Sequence, residues 1–133
     1  MLVEVEIDSD RSCDVSLDMR LLDKSGLPVG FGSLGVFERA NLISVQKGSN
    51  TVKYSFPIVS LANGSYVISL DLTLPSKEYL DRIERCLSFD LNHTLPAGSG
   101  NVMQQNWGYG CVRILMNRHD GVTPGGVGHD SFD

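Results

Sequence analysis

Residues 65–72 read Ser65-Tyr66-Val67-Ile68-Ser69-Leu70-Asp71-Leu72, and this stretch decides the fold class. Large apolar residues occupy every second position from Tyr66 to Leu72, with Val67, Ser69 and Asp71 between them. A period of two residues is that of a β-strand, whose successive side chains point to opposite faces of a sheet. The stretch therefore predicts a strand with one face in a core and the other toward solvent or a ligand.

The same alternation recurs along the chain on both sides of this stretch. It predicts further strands at residues 2–7, 14–22, 51–58 and 86–92. A glycine-rich strand is predicted at residues 29–37, and a last short strand at residues 111–115. Turn residues separate some of these strands, as at Asp23-Lys24-Ser25-Gly26 and Asn63-Gly64. Several short strands with turn signals between them indicate a sandwich or a barrel, so the predicted fold class is all-β.

Three other segments lack this period. Residues 76–85 predict one short helix, because Ser76 can cap its start and Arg82 and Arg85 suit its end. Residues 95–110 are rich in glycine, asparagine and glutamine and predict a long loop. Residues 120–133 lack apolar periodicity and predict a disordered tail. We therefore expect one domain over residues 1–119, followed by that tail.

Composition and charge narrow the class of partner. The chain has 133 residues and a formal net charge of −5, and no two basic residues are adjacent. Nucleic acids and anionic membrane surfaces require clustered lysine and arginine, so both are disfavoured as partners. Glu4 and Glu6 interrupt the first apolar run, and no stretch approaches the roughly 18 apolar residues of a membrane-spanning helix. Three cysteines without metal-ligand spacing fit a reducing compartment, which predicts a soluble cytoplasmic protein without membrane insertion.

No constellation in the sequence indicates catalysis. Phosphate-binding loops, nucleophile elbows and zinc-protease motifs do not occur, and His93, His119 and His129 lie in predicted loops or in the tail. Asp71 and Asp90 could form the carboxylate pair of a glycosidase, but both occupy outward positions where solvent is expected. We therefore predict no enzymatic activity, no cofactor and no metal, and keep a glycan hydrolase as a third alternative.

Residues 104–109, Gln104-Gln105-Asn106-Trp107-Gly108-Tyr109, have the composition of a ligand surface. Sugar rings stack their C–H faces on flat aromatic rings, while amides and charged groups bind the hydroxyls. The predicted carbohydrate-binding residues come from this loop and from neighbouring strands: Gln105, Asn106, Trp107, Tyr109, Ser88, Asp90 and Arg113. The alternative is that Trp107 folds back and caps the core.

Four segments, taken in order, resemble one protein family. They are residues 22–32 (Leu-Asp-Lys-Ser-Gly-Leu-Pro-Val-Gly-Phe-Gly), 59–70 (Val-Ser-Leu-Ala-Asn-Gly-Ser-Tyr-Val-Ile-Ser-Leu), 79–90 (Tyr-Leu-Asp-Arg-Ile-Glu-Arg-Cys-Leu-Ser-Phe-Asp) and 110–114 (Gly-Cys-Val-Arg-Ile). The family is the C-terminal domain of Wzt-type ATP-binding subunits of O-antigen polysaccharide ABC transporters. The similarity extends over about residues 2–115.

This resemblance implies both a fold and a function. The implied fold is an immunoglobulin-like antiparallel β-sandwich, and the implied function is recognition of the modified non-reducing end of a bacterial O-antigen polysaccharide for export. The implied partners are the polysaccharide, the transporter's ATP-binding domain and membrane subunit, and a second copy in a homodimer at the inner face of the inner membrane. The alternative function is a structural or dimerisation β-sandwich without sugar affinity.

Overall fold

The computed structural model describes residues 1–74 and 78–119, and for residues 78–85 the description covers the backbone alone. Seven strands follow one another: β1 Leu2–Ser9, β2 Cys13–Asp23, β3 Pro28–Leu34, β4 Ile43–Val45, β5 Gly48–Ser55, β6 Gly64–Leu74 and β7 Glu78–Leu91. Two single 3-10 turns, at Arg39–Asn41 and Gln105–Trp107, are the helical segments of the described part of the chain. The all-β prediction is confirmed.

The strands form two antiparallel sheets. β1 pairs with β5 in a two-stranded sheet, in register from Leu2 opposite Ser55 to Ser9 opposite Gly48. The second sheet has the order β3-β2-β6-β7, and β4 pairs with the start of β2 along the edge that β3 occupies further on. The two sheets face each other, so the molecule is the predicted β-sandwich.

The inner faces follow the period-two pattern of the sequence. Tyr66 and Ile68 of β6 are fully buried, and they join inward residues of both sheets in the main core. The buried members of that core are Val3, Leu17, Met19, Leu21, Tyr66, Ile68, Leu70 and Leu91. A smaller cluster at one end contains Ile7, Val15 and Val45.

A row of aromatic rings joins the sheets across the core. Tyr66 stacks on Phe89 at 5.4 Å between ring centroids, Phe89 lies 6.3 Å from Phe56, and Phe56 lies 6.5 Å from Tyr54. The buried Tyr66 hydroxyl donates to the carbonyl oxygen of Ala62 at 2.5 Å, so its polar group is satisfied inside the core. This row connects β5, β6 and β7 just below the end of the sandwich that carries the 104–109 loop.

The predicted short helix is wrong where the structure describes it. Ser76 lies outside the described residues, and residues 78–85 belong to β7, which pairs with β6 from Leu74 opposite Glu78 to Gly64 opposite Leu91. The register shifts twice along this pairing. These irregularities let β7 stay paired with β6 although its sequence does not alternate regularly. Backbone pairing with a central strand has outweighed the local capping signal, which is a weak preference by comparison.

Other segments also differ from expectation. Residues 111–115 do not form a strand, since only Val112 makes an isolated bridge, to Leu61. β4 was not predicted, and Asn63 bridges to Gln104 rather than turning a hairpin. Residues 95–110 form the predicted long loop, while residues 120–133 lie outside the described part of the chain.

The outward face of the five-stranded sheet is less exposed than its sequence suggests. Asp71 is 4% exposed, which contradicts the solvent-facing position predicted for it, and its carboxylate lies 3.3 Å from the Arg20 guanidinium. Asp18, directly opposite Asp71, accepts hydrogen bonds from Ser16 at 2.8 Å and Ser33 at 2.6 Å. These polar groups are buried with partners, as buried charges must be.

Candidate functional site

A cleft of about 470 Å³ opens at the end of the sandwich beside the 104–109 loop. We call it the Trp107 cleft, and its lining is mixed apolar, aromatic and polar: Asn101, Met103, Trp107, Tyr109, Val112, Arg113 and Ile114. Apolar walls with a few placed polar groups are typical of small-molecule sites. Three of the seven predicted site residues, Trp107, Tyr109 and Arg113, meet in this cleft.

The backbone of the cleft is held against the connection between β5 and β6. On one side the Ala62 amide donates to Cys111 at 2.8 Å, and the Arg113 amide donates to Ser60 at 2.6 Å. On the other side the Asn63 amide donates to Met103 at 2.8 Å. The residues that flank the aromatic loop are therefore anchored by main-chain hydrogen bonds although they belong to no sheet.

The two aromatic rings of the cleft are available to a ligand. Trp107 is 47% exposed and Tyr109 is 82% exposed. Trp107 is therefore only partly covered, and a share of its indole surface remains open to a ligand. Gly108 between them adopts φ 81°, a left-handed conformation that favours glycine and ends the 3-10 turn.

Gln105 is turned away from the Trp107 cleft and toward β6. Its amide nitrogen donates to the Ser65 carbonyl at 3.0 Å, and its amide oxygen accepts from the Ser65 amide at 3.2 Å. One side chain thus satisfies both main-chain groups of the second residue of β6, as a neighbouring strand would. The structure places Gln105 as a support of the loop.

The other predicted site residues lie outside the cleft lining. Asp90 is exposed on β7 and accepts a hydrogen bond from the Ser65 hydroxyl at 2.6 Å. Ser88 is exposed on β7 opposite Val67, and Asn106 is exposed on the 3-10 turn. Gln105 and Asp90 therefore meet at Ser65, on a different set of contacts from Trp107, Tyr109 and Arg113.

Sequence reasoning missed four residues that line the cleft: Asn101, Met103, Val112 and Ile114. It also missed Asn63, whose side chain donates to the His93 carbonyl at 3.0 Å and accepts from the His93 amide at 2.6 Å. No local pattern marks these residues, because their roles come from contacts between segments 30 or more positions apart. Asn63 was visible only as half of an Asn-Gly pair.

A larger cleft of about 620 Å³ lies beside β1, at the smaller core cluster of Ile7, Val15 and Val45. Among the residues whose side chains the structure describes, its lining contains carboxylates such as Glu6 and Asp8 and the apolar residues Ile7 and Leu72, but no aromatic side chain. Sugar stacking needs a flat ring, so the smaller Trp107 cleft is the better candidate for a carbohydrate.

Comparison with solved structures places this architecture among known ones. The crystal structure of the C-terminal domain of Wzt matches with a TM-score of 0.61, covering 90% of this chain and 68% of that one. The chain has the fold of the Wzt C-terminal domain. The two sequences are 17% identical, so the likeness to Wzt concerns the fold, and it agrees with the resemblance found in the sequence.

Sequence comparison alone does not extend this result. No protein-family model matches the chain, and no curated protein matches its sequence. Among the described residues, no helix is long and apolar enough to cross a membrane. The Wzt-type fold and the geometry of the Trp107 cleft are therefore the two findings from which a function can be argued.

Proposed function

We propose that this chain is a non-catalytic carbohydrate-binding module that recognises the modified non-reducing end of a bacterial O-antigen polysaccharide. One observation carries the proposal: Trp107 and Tyr109 stand exposed in one cleft, on a backbone anchored to the β5–β6 connection. Rings presented in this way offer flat platforms to the C–H faces of sugars, with little conformational freedom lost on binding.

The fold supports the wider setting of the proposal. A Wzt-type fold suggests a role in an O-antigen ABC transporter, where the module works with an ATP-binding domain and a membrane subunit at the cytoplasmic face of the inner membrane. A cleft at the end of a sandwich suits a chain terminus better than the middle of a polymer, because one end of the ligand enters and the rest extends into solvent. The proposed role requires binding and no chemical step.

The first test is a calorimetric titration of the protein with the O-polysaccharide of its own source strain. A matched preparation that lacks the terminal modification is titrated beside it. We expect binding to the finished chain alone, because a terminal cleft makes its contacts with the last residue and its modification. Equal binding to both preparations would contradict recognition of the terminus.

A pair of aromatic variants tests the site. Trp107→Ala should weaken binding by about 1 to 3 kcal/mol, the range for a stacked aromatic anchor. Phe37→Ala is the matched control, since Phe37 is 70% exposed and lies outside the Trp107 cleft. Unchanged affinity in a folded Trp107→Ala protein would remove this cleft from the sugar site.

The alternative, a dimerisation module without sugar affinity, has its own observation in favour. Ile114, Leu115 and Met116 are 80%, 69% and 91% exposed. In the described part of the chain, β1 pairs with β5 alone and leaves one edge without a strand partner. Such features attract a partner chain. A folded dimer that binds neither polysaccharide preparation would favour this alternative.

A further inference from the structure

One edge of the two-stranded sheet has no strand beside it in the part of the chain that the structure describes. β1 pairs with β5 along its whole length, from Leu2 to Ser9, and with no other described strand. Its opposite edge, which we call the open edge of β1, therefore presents main-chain N–H and C=O groups to another extended segment. Peptides that add a strand to such an edge bind through main-chain hydrogen bonds, and their alternate side chains give specificity.

The pairing of β1 with β5 decides which residues turn their main-chain groups to the open edge. The Met1 nitrogen donates to the Phe56 carbonyl at 2.7 Å, and the Phe56 amide donates to the Met1 carbonyl at 3.0 Å. In an antiparallel ladder, pairs that exchange both bonds alternate with pairs whose main-chain groups point outward. When this alternation is continued along the register, the main-chain groups of Glu4, Glu6 and Asp8 point away from β5.

The same three residues give the open edge a negative charge. Glu4, Glu6 and Asp8 are exposed and lie on the outer face of the two-stranded sheet. Lys53 of β5 lies opposite Glu4, whereas the residues opposite Glu6 and Asp8 are uncharged. Two carboxylates therefore have no basic residue opposite them on β5, and they lie beside main-chain groups that a further strand can bind.

The position of the two-stranded sheet leaves room for a further strand. A cleft of about 230 Å³ joins β5 to β3, and the cleft of about 620 Å³ joins β1 to β6. β5 thus lies toward the β3 side of the larger sheet, and the open edge of β1 faces the β7 side. Leu87 of β7 lies opposite the fully buried Ile68 and shares its inward face, yet Leu87 is 38% exposed. A strand added to β1 would cover this apolar surface.

We infer that the open edge of β1 is a docking site for an extended segment of another protein in which lysine or arginine alternates with apolar residues. In antiparallel addition, the basic residues lie opposite Glu4, Glu6 and Asp8 on the outer face, where opposite charges attract. The apolar residues between them turn inward, toward Leu87. Two copies of β1 laid edge to edge would bring like charges together, so this edge favours a basic partner over its own copy.

Peptides as long as the eight residues of β1 test the inference, which does not depend on the proposed sugar site. A peptide of alternating lysine and valine should bind, whereas alternating glutamate and valine should not. NMR should show slower exchange of the Glu4, Glu6 and Asp8 amide protons on binding, with little change at Val5, whose amide faces β5. Unchanged exchange at the three acidic residues would overturn the inference.

Two further peptides separate strand addition from simple attraction between charges. In the antiparallel ladder, the lysine N–H groups of the peptide face β1 and the valine N–H groups face away. Methylation of the lysine main-chain nitrogens should therefore abolish binding, and methylation of the valine main-chain nitrogens should preserve it. The same affinity for both methylated peptides would overturn the proposed pairing.

Charge variants identify the residues responsible. The triple variant Glu4→Gln, Glu6→Gln, Asp8→Asn should bind the lysine–valine peptide about tenfold less tightly, because it loses three cross-strand charge pairs. Glu6→Gln alone should also weaken binding, whereas Glu38→Gln, the matched control in the exposed connection between β3 and β4, should not. Unchanged affinity of the triple variant would overturn the inference. So would slow, concentration-dependent exchange of the same amides without peptide, because a second copy would then occupy the edge.

Discussion

Gly64 is the residue on which the position of the aromatic loop depends most directly. It begins β6 with φ 148°, and a Cβ built on it would overlap the side-chain amide of Gln105. Gly64→Ala therefore combines backbone strain with displacement of that amide, and should cost about 1 to 3 kcal/mol in free energy of unfolding. Chemical denaturation measures the cost, and amide exchange of residues 104–109 should rise.

Gly48 supplies the matched control for this substitution. Its φ is 105°, but a Cβ built on it would meet nothing within 4 Å. Gly48→Ala should lower the free energy of unfolding through backbone strain alone, without raising the amide exchange of residues 104–109. Identical exchange of residues 104–109 in both variants would show that Gln105 does not need the space above Gly64.

Tyr54 gives the stability of the fold a dependence on alkaline pH. Burial, and to a smaller extent the nearby Cys86, raises the pKa of Tyr54 from 10.0 to about 12. The folded protein holds the phenol proton more tightly than the unfolded chain does. The contribution to stability is therefore complete below pH 10.0 and is lost as the pH rises toward about 12.

A comparison of two tyrosine variants measures this effect. Between about pH 9 and about pH 12, the free energy of unfolding of Tyr54→Phe should fall less than that of the native protein. Both are measured by chemical denaturation under the same conditions. Tyr109→Phe, at an 82% exposed position, should behave like the native protein. Parallel pH curves for Tyr54→Phe and the native protein would exclude Tyr54 as the titrating group.

At the scale of elements, the long loop that follows β7 is tied to the sandwich by two amide side chains. Asn63 pairs with both main-chain groups of His93, and Gln105 pairs with both main-chain groups of Ser65. Each side chain takes the place of a strand partner at one end of the loop. The loop therefore has fixed ends without belonging to a sheet, which suits a segment that must present exposed rings.

The two ties should be separable by substitution. Asn63→Ala should raise amide exchange near His93, and Gln105→Ala should raise it over residues 104–109, each at a cost of about 1 to 3 kcal/mol for the groups left unpaired. Gln105→Ala should also weaken sugar binding more than Asn63→Ala does, since Trp107 is two residues away. Equal loss of binding in both variants would show that the loop moves as one unit.

At the scale of the whole molecule, two surfaces of the described chain are left for a partner chain outside the Trp107 cleft. These are the edge of β1 that does not pair with β5, and the exposed apolar residues Leu115 and Met116. Apolar side chains at this exposure contribute nothing to the core of one copy, but they can be buried against a second. A homodimer formed through one or both surfaces is the predicted state.

Sedimentation equilibrium of the full chain tests this state. The native protein should sediment as a dimer, and the double variant Leu115→Lys with Met116→Lys should shift it toward monomer without lowering the thermal midpoint. Val36→Lys is the control, because Val36 is 55% exposed in the connection between β3 and β4 and belongs to neither surface. A native protein that remains monomeric at high concentration would contradict the prediction.

The amino-acid sequence by itself determined the faces of four strands and the fold class. β1, β2, β5 and β6 are local patterns of period two, and a strand's inward residues can be read from its own alternation. The aromatic loop was also visible as a loop, because Trp107 and Tyr109 lie among glycines and amides, but the sequence left open whether Trp107 meets a ligand or caps the core.

Only the tertiary structure decided which predicted site residues act together. Trp107 and Arg113 share a cleft because residues 111–113 bond to residues 60–62, and Gln105 turns away because Ser65 offers it two main-chain partners. The same holds for β7, which begins at Glu78 through pairing with β6 where the local signal favoured a helix. Contacts between distant segments settled these points, and the period of a local sequence carries no record of which segments will meet.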